Sequence, residues 1–175
     1  LPIYGHRDLF NERYSLRGGG RRNTGIRLTR EQLEARAEFH LSDGPQEIVK
    51  GVWTTGGIHR RPYPEGASPR HMVYREGRQV SDPYADDISL VLRVEGGVVL
   101  LCGCCHAGLR NTMAAVRELW ADEPLVAVVG GTHLVQADQA ELHALIDLFG
   151  QMGGTNLHLN HGPGERALCV LKQAL

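Results

Sequence analysis

Hydrophobic residues follow their most regular pattern in the second half of the chain, from residue 87 onward. Two β-rich runs, Ile88–Val94 and Val98–Cys102, are separated by Glu95-Gly96-Gly97, and this pattern predicts a tight antiparallel hairpin. Leu125–Val129 and Asn156–Asn160 predict two further strands. Apolar positions at helical spacing predict helices over residues 111–120, 138–149 and 165–175. The region 87–175 is therefore predicted to be a hairpin followed by βα units, which indicates an α/β fold.

The first eighty residues are patterned less regularly. Leu28–Phe39 contains good helix formers, with Thr29 as its predicted N-cap. We predict that residues 15–80 form an irregular, loop-rich insert within one domain that spans residues 1–175. His59 and His71 lie in a proline-rich connection and are interpreted as solvated loop histidines. The chain opens on the apolar run Leu1–Tyr4, which resembles an interior strand, and we therefore expect it to be N-terminally truncated.

A glycine-rich basic segment lies within this region, from Arg17 to Arg27. Gly18-Gly19-Gly20 predicts a mobile turn, and the arginines beside it have two interpretations. They are solvated surface charges, or Arg21 and Arg22 belong to a lid that binds a phosphate or carboxylate of the substrate, since guanidinium groups make forked contacts with such anions.

Length and composition limit the classes of function. A chain of 175 residues with 42% hydrophobic content can bury the core of one domain. The formal net charge of -1 excludes a global field that would recruit nucleic acid or an anionic membrane, and the longest apolar run, Leu125–Gly131, is too short to span a bilayer. Three of the four cysteines, Cys102, Cys104 and Cys105, are too close together for a disulfide framework. We expect reduced thiols and a cytoplasmic location.

Three histidines each follow a predicted strand and precede a predicted helix. His106, His133 and His161 are separated by 27 and 28 residues, which is the length of one βα unit. Right-handed crossovers bring the carboxyl ends of parallel strands to one edge of the sheet, where α/β proteins bind ligands. One such histidine alone would more often be packed or solvated. Three at equivalent junctions, beside glycines, favour a site that binds zinc, iron or manganese. His158 is a weaker candidate, expected to face out of its strand or into the core.

Cys104 is a second type of candidate ligand. Cys104-x-His106 could place a thiolate and an imidazole on one metal, whereas Cys102 and Cys105 are interpreted as small buried residues at a strand end. If the strand persists, alternation puts Cys102 and Cys104 on one face and Cys105 on the other. Cys102-x-Cys104 and the adjacent pair Cys104-Cys105 both differ from the C-x-x-C of thioredoxin-like proteins. A thiol redox function is therefore the least favoured interpretation.

The residues around His106 resemble a known motif. The run 101–112 is similar to the GCSHAG-x-x-NT motif of metallo-β-lactamase superfamily proteins of the archaeal dihydropterin (ribofuranosyl)aminobenzene phosphate synthase group. Gly130–Leu134 resembles the GGFHL of that group, and His161–Gly164 resembles its HCTG, with Gly162 in place of the cysteine. Weaker similarities cover the rest of the chain: Pro2–His6 to PVYAH, Thr55–Ile58 to TG-x-IPR, and Asp86-Asp87 to DDQ.

This resemblance implies a fold and a chemistry. The fold would be the αββα sandwich of the metallo-β-lactamase superfamily, of which the chain supplies mainly the C-terminal half. His106 and His161 would be metal ligands, two divalent metals would occupy the intact site, and His133 would be a substrate-facing catalytic residue. The implied mechanism is attack of a metal-activated water on an ester or phosphoester of a small-molecule substrate, possibly phosphorylated. The sequence leaves the oligomeric state open, including a homo-oligomer.

One departure from the family pattern keeps an alternative function open. The H-x-H-x-D-H signature, which supplies most metal ligands in the superfamily, is absent from residues 1–175. The chain is therefore expected to hold an incomplete site and to bind metal poorly as it stands. The alternative is a non-catalytic binding or assembly module with a degenerate metal site.

Overall fold

The computed structural model describes residues 1–174, and Leu175, the last residue of the predicted terminal helix, lies outside them. Four helices are present: α1 (Arg30–Glu34), α2 (Leu109–Leu119), α3 (Gln139–Met152) and α4 (Gly164–Ala174). Twelve strands accompany them: β1 (Pro2–Gly5), β2 (Arg13–Arg17), β3 (Gly20–Asn23), β4 (Glu38–Leu41), β5 (Gln46–Val49), β6 (Val52–Thr54), β7 (His71–Arg75), β8 (Arg78–Ser81), β9 (Leu90–Val94), β10 (Gly97–Cys102), β11 (Leu125–Gly130) and β12 (Asn156–Leu159). None of the four helices is long and apolar enough to cross a bilayer.

The largest sheet has six strands in the order β12-β11-β10-β9-β6-β5. The predicted hairpin is confirmed, since β9 and β10 pair antiparallel with Gly97 opposite Val94. Strands β10, β11 and β12 are parallel neighbours, joined through α2 and α3. The βα units predicted from the hydrophobic pattern are therefore present, with ends within a few residues of the expected ones.

The main core lies between this sheet and the three longer helices. It includes Leu100 and Val128 from the sheet, Met113 from α2, and Leu142 and Leu145 from α3, all of which have no exposed surface. The opposite face of the sheet is less covered, and Leu101 on that face is 37% exposed. Burial of apolar side chains by the helix layer is the main stabilising contribution in this half of the chain.

A second, four-stranded antiparallel sheet has the order β3-β2-β7-β8 and lies in the region predicted to be irregular. The prediction of an irregular region is wrong for residues 15–80, which hold a short helix and strands of three sheets: the four-stranded sheet, the six-stranded sheet and the parallel β1–β4 pair. The hydrophobic pattern does not predict these strands because they have only three to five residues. Several of them, such as β3 and β8, also have both faces polar or exposed. Strands of this kind lack the alternation by which a half-buried strand is recognised.

The residues at the helix ends predicted some helix boundaries correctly and others incorrectly. Thr29 is the N-cap of α1, as predicted, and forms a capping box with Gln32. The helix predicted to run to Phe39 ends at Glu34, and the chain then forms β4. The helix predicted over residues 111–120 begins two residues earlier, with Gly108 at its N-cap position. Asn111 is fully buried and binds the backbone of Tyr63 through both ends of its amide.

Candidate active site

Three of the predicted site histidines follow the carboxyl ends of adjacent parallel strands. Cys102 at the end of β10 lies opposite Gly130 of β11, which in turn lies opposite Leu159 of β12. Glycine is required at this edge, because a Cβ on Gly131 would lie 2.1 Å from the Gly103 carbonyl oxygen. The topology thus places the loops that carry His106, His133 and His161 at one edge of one sheet, as predicted.

His106 is held in a defined orientation by Gly66, which lies in the loop between β6 and β7. Its Nδ1 lies 3.1 Å from the Gly66 carbonyl oxygen, and the Gly66 N–H donates to the His106 carbonyl oxygen at 3.0 Å. Because a carbonyl can only accept, Nδ1 carries the proton and the Nε2 lone pair of neutral His106 is free. Burial lowers the pKa of His106, which favours this neutral form. A neutral imidazole fixed through its other nitrogen is the usual state of a metal ligand.

His133 contacts His106 directly. The two ring centroids lie 4.2 Å apart, and the backbone of His133 is left-handed, with φ of 45°. Gly66 and Gly162 approach it closely: a Cβ on Gly66 would lie 2.9 Å from the His133 Cβ. The His133 Nδ1 is buried without a hydrogen-bond partner, and its pKa is lowered by burial and then by His106.

His161 lies at the same edge but is exposed. Its carbonyl oxygen accepts a hydrogen bond from the Thr132 N–H at 3.1 Å, which links its loop to that of His133. Its charge contributes, as the smallest cause, to lowering the pKa of both His106 and His133. His158 is exposed on β12, in line with the expectation that it is not part of this group.

The second sheet brings a fourth histidine that sequence reasoning assigned to solvent. His71 begins β7, is only partly exposed, and its ring centroid lies 6.2 Å from that of His106. Between them lies Tyr84, whose ring stacks on His106 at 4.2 Å and whose hydroxyl is 2.7 Å from His71 Nδ1. No local sequence signal marks His71, because it stands alone in a proline-rich connection.

The Asp87 side chain is hydrogen-bonded to the backbone of the loop that carries His106. Its Oδ2 accepts a hydrogen bond from the Ala107 N–H at 2.7 Å, and burial raises its pKa from 3.8 to about 6. The neighbouring Asp86 binds Arg13 at 2.8 Å, and Arg13 also pairs with buried Asp82. In the sequence, Asp86 and Asp87 stand out only through their similarity to a family motif. Their contacts are visible only in the structure.

Cys102 and Cys105 are both buried, as predicted, but the strand does not continue beyond Cys102. The strand ends at Cys102, and Cys105, with φ of 61°, turns back so that both thiols lie in the core. These two do have C-x-x-C spacing, but Cys105 has no exposed surface and its thiol pKa is raised well above its usual range, which disfavours redox reactivity. Cys104 is half-buried, and burial followed by Asp87 raises the pKa of its thiol, so the metal-free chain holds it as the thiol. Its role as a ligand stays a prediction.

The two arginines predicted to bind substrate lie on opposite faces of a hairpin. Arg21 pairs with Leu16 in the β2–β3 register and stacks over the Tyr14 ring at 3.8 Å, with Glu12 at 3.2 Å. Arg22 pairs with Ser15, which itself lies opposite His71. Residues 17–23 therefore form a β-hairpin rather than an irregular loop, and of the two arginines only Arg22 shares a face with His71.

The histidine cluster supplies some of the ligands that a metal ion needs. His106 presents a free Nε2 and His161 is exposed at the same edge, so both fit as ligands. Across residues 1–174, no group of three or more His, Cys, Asp or Glu side chains is arranged to hold a metal ion. These residues therefore fit as part of a ligand set rather than a whole one, since catalytic zinc sites have three protein ligands.

Comparisons with known proteins agree with the predicted resemblance. No family model matches the chain. It is 25% identical over 174 residues to the 7,8-dihydropterin-6-methyl-4-(beta-D-ribofuranosyl)-aminobenzene-5'-phosphate synthase of Methanocaldococcus jannaschii, covering 95% of this chain and 58% of that protein. The crystal structure of Tm1679, a metal-dependent hydrolase of the β-lactamase superfamily, superposes with a TM-score of 0.85 at 24% identity and covers 99% of this chain and 64% of that one.

These findings confirm the fold prediction. The chain has the mixed α/β fold of the metallo-β-lactamase superfamily, and it resembles both groups that the motifs indicated. It spans less than two thirds of the length of each of these similar proteins.

Proposed function

We propose that the chain is part of a metal-dependent hydrolase or transferase that acts on an ester or phosphoester of a small molecule. The observation that carries the proposal is the state of His106, whose Nδ1 is tied to Gly66 and whose Nε2 is left free beside His133. The similarity to a synthase and to a metal-dependent hydrolase supports it. A divalent metal, when bound, would supply Lewis acidity and a nucleophile at neutral pH.

Each histidine has a distinct proposed role. His106 and His161 would hold the metal, with Cys104 as a further candidate ligand. His133 would face the substrate, because its left-handed backbone and the glycines around it fix its ring against His106. Its buried, unpartnered Nδ1 can hydrogen-bond a polar group of the substrate, which would remove the cost of leaving it unsatisfied.

The alternative of a non-catalytic binding or assembly module has one observation in its favour. Among the described residues, no three ligating side chains are arranged to hold a metal. Such a module would keep the fold and the histidine stack without turnover.

Metal titration and turnover together separate the two proposals. The natural protein that contains this chain should hydrolyse a generic phosphodiester or lactone when manganese or zinc is added and lose this activity with a chelator. Residues 1–175 alone should bind zinc weakly in calorimetry, because part of a ligand set gives only part of the binding free energy. A natural protein that is folded but has no metal-dependent turnover on any ester would support the module instead. Stoichiometric, tightly held zinc in residues 1–175 would show a complete site that these assignments do not explain.

A further inference from the structure

Tyr84 is fixed in place through each of its polar atoms. Its N–H donates to Asp82 Oδ1 at 2.9 Å, and its carbonyl oxygen accepts from the Arg61 guanidinium at 2.9 Å. Its hydroxyl accepts from the Ser68 N–H at 3.0 Å and lies 2.7 Å from His71 Nδ1. The residue is only 7% exposed. Because all of these contacts must be kept at once, the ring of Tyr84 has one position.

That position costs backbone strain and places the ring on His106. The backbone of Tyr84 is left-handed, with φ of 47°. A bulky residue keeps this conformation only where the surrounding contacts impose it, and such residues cluster at functional sites. The Tyr84 and His106 ring centroids lie 4.2 Å apart, with the ring planes 13° from parallel. His106 is therefore fixed on one face by Tyr84, in addition to the hydrogen bond of its Nδ1 to Gly66.

The Tyr84 hydroxyl also determines the tautomer of His71. Because the hydroxyl oxygen accepts from Ser68, its own proton needs an acceptor, and among residues 1–174 His71 Nδ1 is the acceptor within hydrogen-bond distance. This donation leaves neutral His71 with its proton on Nε2. His106 has the opposite tautomer, since its Nδ1 donates to the Gly66 carbonyl oxygen.

We infer that Tyr84 is a positioning residue of the proposed active site, which holds two neighbouring histidines in opposite tautomers. His106 then presents an Nε2 lone pair and His71 presents an Nε2–H donor, with the two ring centroids 6.2 Å apart. A metal ligand needs the lone pair, whereas an N–H can only donate, as to a substrate oxygen that gains negative charge. His71 is thus a hydrogen-bond donor of the site and not one of its metal ligands. The roles toward metal and substrate rest on the proposed function, and the tautomers do not.

The tautomers can be measured without metal or turnover. ¹⁵N NMR of the natural protein that contains this chain, labelled in its histidine rings and kept with a chelator, distinguishes protonated from unprotonated ring nitrogens. At about pH 8 a histidine with an ordinary pKa of about 6.5 is neutral. Signals would be assigned with His71→Ala and His106→Ala. We expect the proton on Nε2 in His71 and on Nδ1 in His106.

Two substitutions separate the hydroxyl of Tyr84 from its ring. Tyr84→Phe keeps the stacked ring and removes the O–H, so His71 should become a mixture of tautomers while His106 keeps its own. Tyr84→Leu also removes the ring, so the His106 ring protons should lose the upfield shift that a stacked aromatic ring causes. The parent spectrum tests the tautomers even if Tyr84→Leu does not fold.

Metal affinity and kinetics separate the two roles. Tyr84→Leu should lower the zinc affinity of the natural protein by about tenfold or more, as loss of a residue that orients a ligand does. His71→Ala should change zinc affinity by less than about twofold and instead lower kcat by about two- to tenfold, the contribution of one neutral hydrogen bond made in the transition state.

Tyr14→Phe is the matched control on the same sheet. Tyr14 is 2% exposed, and its hydroxyl is buried without a hydrogen-bond partner among the described residues. Removing this hydroxyl should leave both tautomers, the zinc affinity and kcat unchanged.

Three results would overturn the assignment of Tyr84: a proton on Nδ1 of His71 in the parent, an unchanged His71 tautomer in Tyr84→Phe, or a loss of zinc affinity in His71→Ala as large as in His106→Ala. A protein with the expected tautomers but without metal-dependent turnover would support the positioning by Tyr84 and contradict only the proposed function.

Discussion

The two sheets bring histidines to the same place by different physical means. In the six-stranded sheet, His106, His133 and His161 follow the ends of parallel strands, so the backbone topology places them. In the four-stranded sheet, His71 is placed by a side-chain hydrogen bond to Tyr84 and by pairing with Ser15 on the next strand. The first arrangement depends on a helix-covered core, and the second depends on a few polar contacts. Changes to the two regions should therefore have different consequences for fold and for function.

The largest effect should follow from removing a proposed ligand in the six-stranded half. In the natural protein that contains this chain, His161→Ala should reduce metal-dependent turnover by more than about 100-fold, since even residues that only support the ligands change metal affinity or activity by roughly 10- to 100-fold. The fold should persist, because His161 is exposed. Turnover with added manganese or zinc, together with a thermal melt, measures both.

His158→Ala is the matched control, since His158 is also exposed and lies three residues earlier. Full activity in His161→Ala, or loss of turnover in His158→Ala alone, would show that the last ligand is assigned wrongly.

Two leucines test whether stability resides mainly in the helix-covered core. Leu145→Ala in α3 removes a fully buried side chain and should lower the free energy of unfolding by about 2–5 kcal/mol. Leu16→Ala in β2 removes a side chain that is 38% exposed and should lower it by less than about 1 kcal/mol. Urea denaturation of both variants gives the comparison. Equal losses would mean that the four-stranded sheet contributes as much to stability as the helix layer does.

The largely buried carboxyl of Asp87 should give a measurable pH effect. The pKa of Asp87 is about 6 in the folded protein against 3.8 ordinarily, so the folded state binds its proton more tightly than the unfolded state does. The protonated form therefore stabilises the fold, and this contribution is lost as pH rises from about 4 to 6, by at most about 3 kcal/mol.

Asp87→Asn isolates this contribution, because its amide oxygen can still accept the Ala107 N–H. Histidines with a lowered pKa make the free energy of unfolding rise with pH instead. They are present in both the parent and Asp87→Asn, so their contribution cancels in the difference. The free energy of unfolding of the parent minus that of the variant should therefore fall between pH 4 and pH 6. A difference that stays flat across this range would contradict the raised pKa.

The smallest effects should come from the helix caps, and they sharpen the same comparison. Asp138→Ala removes the N-cap of α3, a helix with four buried residues, and should cost about 1 kcal/mol of global stability. Thr29→Ala removes the N-cap of α1, which has no buried residue, so fraying should stay local and cost less than about 0.5 kcal/mol globally. Denaturant midpoints of the two variants would measure the two losses of stability. A larger loss of stability for Thr29→Ala than for Asp138→Ala would contradict the assignment of the stable core to the helix-covered sheet.

The sequence by itself determined the elements of residues 87–175, because their signals are local. A glycine turn between two apolar runs fixed the β9–β10 hairpin, and the period of 27 and 28 residues between histidines located three loops on successive βα units. Right-handed crossover geometry then required those loops to share one edge. The motif around His106 identified the fold that the structural comparison confirms.

Only the tertiary structure decided which other groups reach that edge. His71 and Tyr84 contact each other across strand pairings and turns, and nothing in their local sequence encodes that contact. The opposite orientations of Arg21 and Arg22 depend on the β2–β3 register, which a glycine-rich, polar hairpin specifies only weakly in its sequence. Asp87 has a raised pKa because the packed loop of residues 105–107 removes it from water. Burial and long-range pairing are properties of the folded chain, so these features became visible only in three dimensions.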